Sequence, residues 1–252
     1  MYVICFYWQG ERWQEKAVDT TNITEDESFS RHLLRVGKAP IELVCRYVNN
    51  LYCGINKWAV EPFKFICFTN SDLEVDKGIE LRPFPMVTRK GVLPRLFMFS
   101  REAGLSGNQV LSLDIDVIIT GSLEDIMNYD GMFCVRERWL RRERHLPDGD
   151  IMGFRAGRET EKIFWDPFVS DIEAAEASST GRERFWITKM IGDRWDNWQN
   201  IAPNQIVSYK HHVLRDGLQD ARIVSCHGHP RPHHINTKWR IKNWPDEQKQ
   251  YA

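Results

Sequence analysis

Two aspartates interrupt the apolar stretch VLSLDIDVIITGSLEDI, which runs from Val110 to Ile126. Side chains alternate along a strand, so Asp114 and Asp116 are predicted to share one face while Ile115 takes the other. Two carboxylates in a poorly hydrated place repel each other and lose hydration, and protons or a divalent cation offset that penalty. Carboxylate oxygens suit Mg²⁺ or Mn²⁺, which commonly complete their coordination with substrate phosphates. The pair therefore predicts a cation site.

The D-x-D spacing is weak evidence by itself, because a second copy occurs at Asp148 and Asp150. The position of the first copy strengthens it: the aspartates lie late in an apolar strand, and polar residues also follow two earlier strands. In a mostly parallel sheet these strand ends meet at one edge, where ligands bind. The polar residues at the two earlier ends are Tyr7, Trp8, Thr69 and Asn70.

Apolar periodicity predicts an alternation of strands and helices. The strands are YVICFYW, FKFICFTN, GIELRPFP and Val110 to Ile119. A helix with Pro40 in its first turn follows the first strand, and a second helix opens at Pro94 and stops at Gly104. A capping box at Ser122 and Asp125 starts another helix, and a helix followed by a loop is expected around residues 170 to 184. This order predicts an α/β fold, with a Rossmann-like, mostly parallel sheet flanked by helices.

Composition favours one soluble domain, expected over residues 1–240 with a tail at 241–252. The 34 basic and 35 acidic side chains nearly cancel, which favours neither a polyanion binder nor an acidic tail. The N-terminus lacks the features of a signal peptide, and no apolar run reaches membrane-spanning length. Six cysteines without a C-x-x-C pair fit reduced core thiols and predict a cytoplasmic protein.

A histidine-rich segment, CHGHPRPHH, follows the apolar stretch ARIVS near the C-terminus. His227 opens it, and a rigid histidine-rich loop after a strand is typical of metal ligation, although a hydrogen-bonded structural histidine is equally compatible with the pattern. Arg231 can bind phosphate oxygens through its planar guanidinium, or can be a solvated surface residue.

These motifs together resemble the sugar-nucleotide glycosyltransferases of the GT-A fold, most closely the family-eight type and related bacterial and phage enzymes. VLSLDIDVIITGSLEDI is similar to that family's "vlyLDaDvlv" strand, and the resemblance extends from the first strand to about Trp239. It implies that Asp114, Asp116 and His227 hold the metal ion. Arg95, in GVLPRLFMFS, would reach the donor, and Arg231 would hold the pyrophosphate, where the family usually has lysine.

Two carboxylates are implied to face the transferred sugar. Asp150, in LPDGDIMGFRAG, stands where the family usually reads "NSGvm", and Glu183, in GRERFWITKMI, stands near the family's acidic segment. The resemblance further implies a nucleoside diphosphate sugar as donor, expected to be a UDP-sugar, with Mn²⁺ or Mg²⁺ and retention at the anomeric carbon. Tyr7, Trp8 and the Thr69–Asn70 segment would hold the base and ribose.

The acceptor stays open at this point, with a saccharide, a lipid-linked glycan and a modified DNA base as candidates. VRERWLRRERH, Val135 to His145, contains five arginines around Trp139, a composition that suits a phosphate backbone and a stacked base, or simply a solvated, ion-paired surface. The five are Arg136, Arg138, Arg141, Arg142 and Arg144.

Two other classes of protein compete with a transferase. Haloacid dehalogenase-like phosphatases also carry D-x-D at a strand end, but on the first strand, and their usual threonine is Ile118 here. A non-catalytic carbohydrate or nucleotide binder would retain the same fold and cation site.

Overall fold

A computed structural model of the chain describes residues 1–8, 40–139 and 146–246. The strands of these ranges are short, and most are buried along much of their length. They are β1 (Tyr2–Tyr7), β2 (Lys64–Thr69), β3 (Ile79–Arg82), β4 (Gln109–Leu113), β5 (Val117–Ile119), β6 (Phe133–Glu137), β7 (Pro147–Arg155), β8 (Asp196–Asn197), β9 (Ile206–Ser208) and β10 (Ile223–Ser225).

The α-helices range from three to eighteen residues. They are α1 (Ile41–Trp58), α2 (Glu124–Met127), α3 (Arg158–Thr160), α4 (Asp166–Ser170), α5 (Ile172–Ser179), α6 (Glu183–Ile191), α7 (Trp198–Ile201), α8 (Leu214–Asp216) and α9 (Lys238–Asn243). Among the described residues, three segments form 3₁₀ helices, Leu93–Phe99, Arg101–Ala103 and Pro232–His234, and two form π-helices, Glu161–Trp165 and Tyr209–Val213.

The central sheet has seven strands in the order β3-β2-β1-β4-β7-β6-β8. Its first four strands are parallel, whereas β7 runs antiparallel to both β4 and β6. A separate three-stranded sheet has the order β5-β10-β9. The chain thus has the predicted α/β architecture, and β1 and β4 place their carboxyl ends side by side at the middle of the large sheet.

Apolar residues cover both faces of this sheet, as its buried strands require. On one face lies α1, whose stripe of Val44, Val48, Leu51 and Ile55 is buried against the sheet. On the other face an aromatic cluster includes Phe97 and Phe99 of the first 3₁₀ helix. The helix predicted from Pro94 to Gly104 forms as two 3₁₀ segments, Leu93–Phe99 and Arg101–Ala103. Gly104 ends the second segment in the left-handed conformation, with φ of 68°.

The prediction of a single strand from Val110 to Ile119 is wrong. It is divided into β4 and β5, which belong to different sheets, and a turn at Asp114 to Asp116 separates them. The Asp114 amide donates to the Asp150 carbonyl at 2.9 Å, and the Asp116 carbonyl accepts from the Cys226 amide at 3.2 Å. The aspartates therefore lie in a turn that joins the two sheets, and not on one face of a strand.

Two smaller expectations differ and one is met. The capping box at Ser122 is not formed, since α2 begins after Leu123 without a side-chain cap. The segment from 170 to 184 contains the expected helix, α5, and the connection after it, at 180–182, ends where α6 begins at Glu183. The fold continues beyond residue 240, because Trp244 is fully buried and contacts Tyr47.

The cysteines agree with the expectation of core thiols: all six are free, and all but Cys53 are buried. Among the described helices, none combines the length and apolar composition that crossing a bilayer demands.

Candidate active site

Arg95 is the central side chain at the carboxyl end of β4. It lies on the buried 3₁₀ helix Leu93–Phe99 and is only 5% exposed. Its Nη1 is 2.6 Å from Oδ1 of Asp114 and 2.9 Å from Oε1 of Glu183. Its Nη2 donates to the Gly149 carbonyl at 3.1 Å. One guanidinium thus joins the turn after β4, the start of α6 and β7.

The two carboxylates that share Arg95 bind protons more tightly than usual. Burial raises the pKa of Asp114 to about 7, although the nearby Arg95 charge opposes the shift. Its side chain retains 38% exposure, so the carboxylate also reaches solvent. Burial likewise raises the pKa of Glu183, again against the opposing effect of Arg95. Both groups are therefore able to exchange protons nearer to neutral pH than ordinary carboxylates.

Asp150 lies in a different environment, within a second arginine network. Arg136, on β6, donates through Nε at 2.6 Å and through Nη2 at 2.8 Å to its two carboxylate oxygens. Ser225, at the end of β10, donates to Oδ2 at 2.6 Å. Burial acts to raise the pKa of Asp150, but Arg136 and these hydrogen bonds outweigh it and lower the pKa. Asp150 is held as a carboxylate.

Asp116 is 8% exposed and forms an ion pair with Arg231. The pair joins the turn after β4 to the segment after β10, which also carries His227. Nε2 of His227 is 2.8 Å from the Ser208 hydroxyl, and its ring stacks on that of His211 with centroids 5.6 Å apart. Burial, with a further contribution from Lys210, lowers the pKa of His227 to about 4, so the imidazole is neutral at physiological pH.

The predicted metal ligands, Asp114, Asp116 and His227, lie on two segments that are hydrogen-bonded to each other between Asp116 and Cys226. They do not form a metal centre in this arrangement. Within residues 1–8, 40–139 and 146–246, no three His, Cys, Asp or Glu side chains are placed to hold a metal ion. Asp116 is ion-paired with Arg231, and His227 is hydrogen-bonded to Ser208. Oxygen and imidazole ligands suit Mn²⁺ chemically, but the residues as placed do not fit an ion.

The predicted nucleotide-contacting residues lie at the ends of β1 and β2. Tyr7 is buried and pairs in register with Thr69, whose hydroxyl accepts from the Ser71 amide at 3.1 Å. Trp8 is half-buried and contacts Phe84 edge to face at 6.2 Å. The Asn70 amide exchanges two hydrogen bonds with the backbone of Phe84, at 2.9 and 3.1 Å. Asn70 therefore fixes the segment after β3, and Trp8 is the more accessible of the aromatic pair.

Arg136 was assigned from the sequence to a surface patch, and its structural position contradicts that. It is 2% exposed, bonded to Asp150 and Asp148, and its guanidinium lies 4.1 Å from the Trp139 ring centroid. Arg138 is also buried, at 5% exposure. Residues 140–145, with the remaining arginines of that stretch, lie outside the described residues. Strand alternation did not indicate this burial, because the register of β6 and β7 shifts between Val135 and Arg136, where Arg136 comes to pair with Asp148.

Solved structures that are similar to this chain include glycosyltransferases. The glycosyltransferase GlyE of Streptococcus pneumoniae TIGR4 matches 96% of this chain with a TM-score of 0.56 and 11% identity. The bifunctional glycosyltransferase WbbM matches 96% with a TM-score of 0.52 and 9% identity. This chain spans 59% of the GlyE structure and 50% of the WbbM structure.

A third match has nearly the same length as this chain. The galactosyltransferase LgtC, solved in complex with donor and acceptor sugar analogs, matches 94% of this chain and 90% of its own, with a TM-score of 0.53 and 11% identity. No family model and no curated protein matches the sequence. The chain therefore has the GT-A glycosyltransferase fold, as the sequence resemblance predicted.

Proposed function

We propose that the chain is a glycosyltransferase that moves a sugar from a nucleoside diphosphate sugar, a UDP-sugar, to an acceptor hydroxyl with retention at the anomeric carbon. One observation carries this proposal: Arg95, Asp114 and Glu183 form an ion-paired network at the carboxyl ends of the central parallel strands, and Asp114 is its solvent-accessible member. In open α/β sheets that edge is where ligands bind, and the matching GT-A structures add sugar transfer as the chemistry.

Arg95 and Arg231 are the proposed partners of the donor diphosphate. A guanidinium matches phosphate oxygens in a forked geometry and stabilises the negative charge that grows on the departing diphosphate. Both arginines are paired with carboxylates, Arg95 with Asp114 and Glu183, and Arg231 with Asp116. These partners hold the guanidinium groups in position before the donor arrives.

Glu183 and Asp150 are the proposed carboxylates on the sugar side, with different roles. Glu183, the ion-pair partner of Arg95, is the candidate to orient the transferred sugar and, as a carboxylate, to balance positive charge at the anomeric centre. Asp150 is held by Arg136 and Ser225, so its role is to accept hydrogen bonds from sugar hydroxyls in a fixed geometry. The exposed part of Trp8 is the proposed surface for the base.

The prediction of Mn²⁺ or Mg²⁺ rests on the sequence resemblance and on the ligand types at Asp114, Asp116 and His227. Such an ion, if bound, would neutralise negative charge on the diphosphate. As placed, Asp116 is paired with Arg231 instead.

A donor panel tests the function directly. UDP-, GDP- and other nucleotide sugars are incubated with the protein, with and without Mn²⁺, and release of the nucleoside diphosphate is measured. We expect the wild type to release UDP from a uridine donor. The rate of release is expected to fall at least about 100-fold in Glu183→Gln and in Asp116→Ala, since each variant removes a charged group at the site. Asp216→Asn, at an exposed pair with Arg215, is the matched control and retains activity.

The competing classes give different results in the same assay. A phosphatase turns over a generic aryl phosphate and gains no thermal stability from UDP, whereas a non-catalytic binder is stabilised by UDP but releases no nucleotide. Unchanged release by Asp116→Ala places the reaction elsewhere in the molecule.

A further inference from the structure

A cavity of about 470 Å³ lies between the second half of α1, the loop before β3 and the end of α9. Cys53 and Trp58 of α1, Asp76 of the loop and Pro245 after α9 are among the residues that line it. Its volume is in the range of pockets that hold small molecules. We call it the α1 cavity.

The α1 cavity lies apart from the candidate active site, toward the other edge of the large sheet. Trp58 ends α1 shortly before β2 begins at Lys64. Asp76 precedes β3, whose first residue pairs with Phe65 near the start of β2. The cavity therefore adjoins the amino ends of these parallel strands, whereas the Arg95 network lies at carboxyl ends. None of the described residues that line it was assigned to the active site.

Two neighbouring asparagines of α1 bring buried amide groups to the cavity. Asn49 and Asn50 are 4% and 3% exposed, and both line it. Oδ1 of Asn49 accepts from the Asp76 amide at 2.8 Å. Nδ2 of Asn50 donates to the Pro245 carbonyl at 3.1 Å. Each asparagine is thus fixed by one half of its amide, one against the loop before β3 and the other against the segment after α9.

The other half of each amide is available to a ligand. Within residues 1–8, 40–139 and 146–246, Nδ2 of Asn49 and Oδ1 of Asn50 have no hydrogen-bond partner. Neither atom is shielded completely from solvent, although both side chains are almost entirely buried. The cavity therefore presents one hydrogen-bond donor and one acceptor, both uncharged and both held in position.

The charged residues around the cavity balance one another. They are Lys57, Lys242, Glu74 and Asp76. Nζ of Lys57 lies over the Trp58 ring, 5.0 Å from its centroid, and the Asp76 carboxylate accepts from the Gly78 amide at 2.8 Å. Two cations and two carboxylates give the cavity no net charge, so it does not attract an anion or a cation in preference to a neutral molecule.

A sugar ring matches this combination of groups. Each sugar hydroxyl both donates and accepts a hydrogen bond, so one molecule can satisfy Nδ2 of Asn49 and Oδ1 of Asn50 together. Val75 and Ile119 add an apolar part to the lining, against which the C–H groups of the ring pack. A purely apolar ligand would leave both amides unpaired, and an ionic ligand would lose hydration without gaining an ionic partner.

We propose that the α1 cavity is a second binding site of this protein and that it takes a neutral saccharide. The free halves of Asn49 and Asn50 bind its hydroxyl groups, and the apolar part of the lining receives its ring. The inference goes beyond the proposed transfer reaction, because the cavity shares no residue with the candidate active site. It gives the protein a hold on a glycan at a place other than the one where sugar transfer is proposed.

Cys53 allows occupancy to be measured, because it lines the cavity and is the one half-exposed member of the six cysteines, all of which the structure describes. The full chain is alkylated with iodoacetamide, and mass spectrometry follows the Cys53 peptide. Glucose, galactose and N-acetylglucosamine are titrated as neutral probes, and glucuronic acid, inorganic phosphate and UDP as charged ones. We expect at least one neutral sugar to slow the alkylation about fivefold at about four times its dissociation constant. The charged probes leave the rate unchanged.

Asn49→Asp tests the recognition itself. It keeps an oxygen for the Asp76 amide but replaces the donor Nδ2 with a second carboxylate oxygen, so we expect the protecting sugar to bind about tenfold more weakly. Asn128→Asp, the same change at an exposed position outside the cavity, retains the wild-type affinity. If Asn49→Asp does not fold, as circular dichroism shows, Val75→Phe replaces it. That variant narrows the cavity, and the same loss is expected.

The other outcomes overturn the proposal. If no neutral sugar protects Cys53, water alone fills the cavity. Equal protection by glucuronic acid or phosphate contradicts a neutral ligand, and protection by UDP assigns the cavity to the nucleotide. Undiminished protection in Asn49→Asp removes the asparagine from recognition. Failure of the proposed transfer reaction is seen separately, as absent nucleotide release in the donor panel, and does not alter the alkylation of Cys53.

Discussion

Two arginine networks lie side by side in this molecule, and the net pKa shifts of their carboxylates have opposite directions. Arg95 is shared by Asp114 and Glu183, and burial raises the pKa of both. Arg136 binds Asp150 through two hydrogen bonds, and the pKa of Asp150 is lowered. The difference shows that an arginine neighbour by itself does not fix the charge of a buried carboxylate.

The pairing of each carboxylate explains the contrast. The charge of Arg136, its two hydrogen bonds to Asp150 and a third from Ser225 together favour the charged form of Asp150 enough to outweigh burial. Asp114 shares one nitrogen of Arg95 with Glu183, and its neighbouring acids add like-charge repulsion. We therefore interpret the Arg136 network as a fixed support that ties β6, β7 and β10 together, and the Arg95 network as the part that can change charge.

The largest expected effect follows from removing the fixed support. Arg136→Met leaves the buried Asp150 carboxylate without its ionic partner, and we expect the free energy of unfolding to fall by about 3–5 kcal/mol. Urea denaturation measures it. Arg155→Met, an exposed arginine on the same β7 hairpin, is the control, and a loss no greater than the control's contradicts the comparison. The double variant Arg136→Met with Asp150→Asn is expected to recover part of the loss.

Removing Arg95 is expected to destabilise the protein less. Asp114 and Glu183 already have raised pKa values, so each can bind a proton once the guanidinium is absent. For Arg95→Met we expect a loss of about 1–3 kcal/mol, set by the hydrogen bonds to Gly149 and the two carboxylates. Urea denaturation at pH 6 measures it. A loss equal to that of Arg136→Met means that the two networks are equally fixed.

The pH dependence of stability separates the two networks by sign. The folded-state pKa of Asp114, about 7, exceeds its unfolded value of about 3.9, so the unfolded state binds fewer protons between these values. Its contribution therefore favours folding at low pH and is lost as pH rises from about 4 to 7. The lowered pKa of Asp150 acts oppositely, because its contribution is lost as pH falls below the unfolded value.

Asp114→Asn provides the measurement. We expect its urea midpoint to decline less than that of the wild type between pH 5 and pH 7.5, since the other titrating groups are common to both proteins. Identical pH profiles of the two proteins contradict a raised pKa at Asp114.

The smallest expected effect concerns the support of Asp150 by Ser225. Ser225→Ala removes one hydrogen bond but leaves both bonds from Arg136, so we expect a loss of about 1 kcal/mol. Thermal unfolding measures the change, with Ser178→Ala, a partly exposed serine on α5, as the control. A loss near that of Arg136→Met contradicts the comparison, because it means that the Ser225 hydroxyl matters as much as the arginine.

Much of the fold was predictable because local periodicity reports burial. The stripe on α1, the apolar strands and the polar residues at the strand ends follow from spacing alone. The same patterns failed where the chain changes sheets: Val110 to Ile119 reads as one apolar run, yet β4 and β5 pair with different partners. Periodicity says which side chains are buried and does not say which strand lies beside them.

The sequence by itself determined the order of the first four strands and the helix between the first two, the presence of two aspartates late in the fourth apolar stretch, and the arginines that can bind phosphate. Only the tertiary structure decided the partners: Glu183 is 88 residues from Arg95, and Ser225 is 75 residues from Asp150. It also turned Arg136 from an expected surface residue into the buried partner of Asp150. The physical reason is that charge pairing depends on distance in space, and β-pairing between remote segments sets that distance.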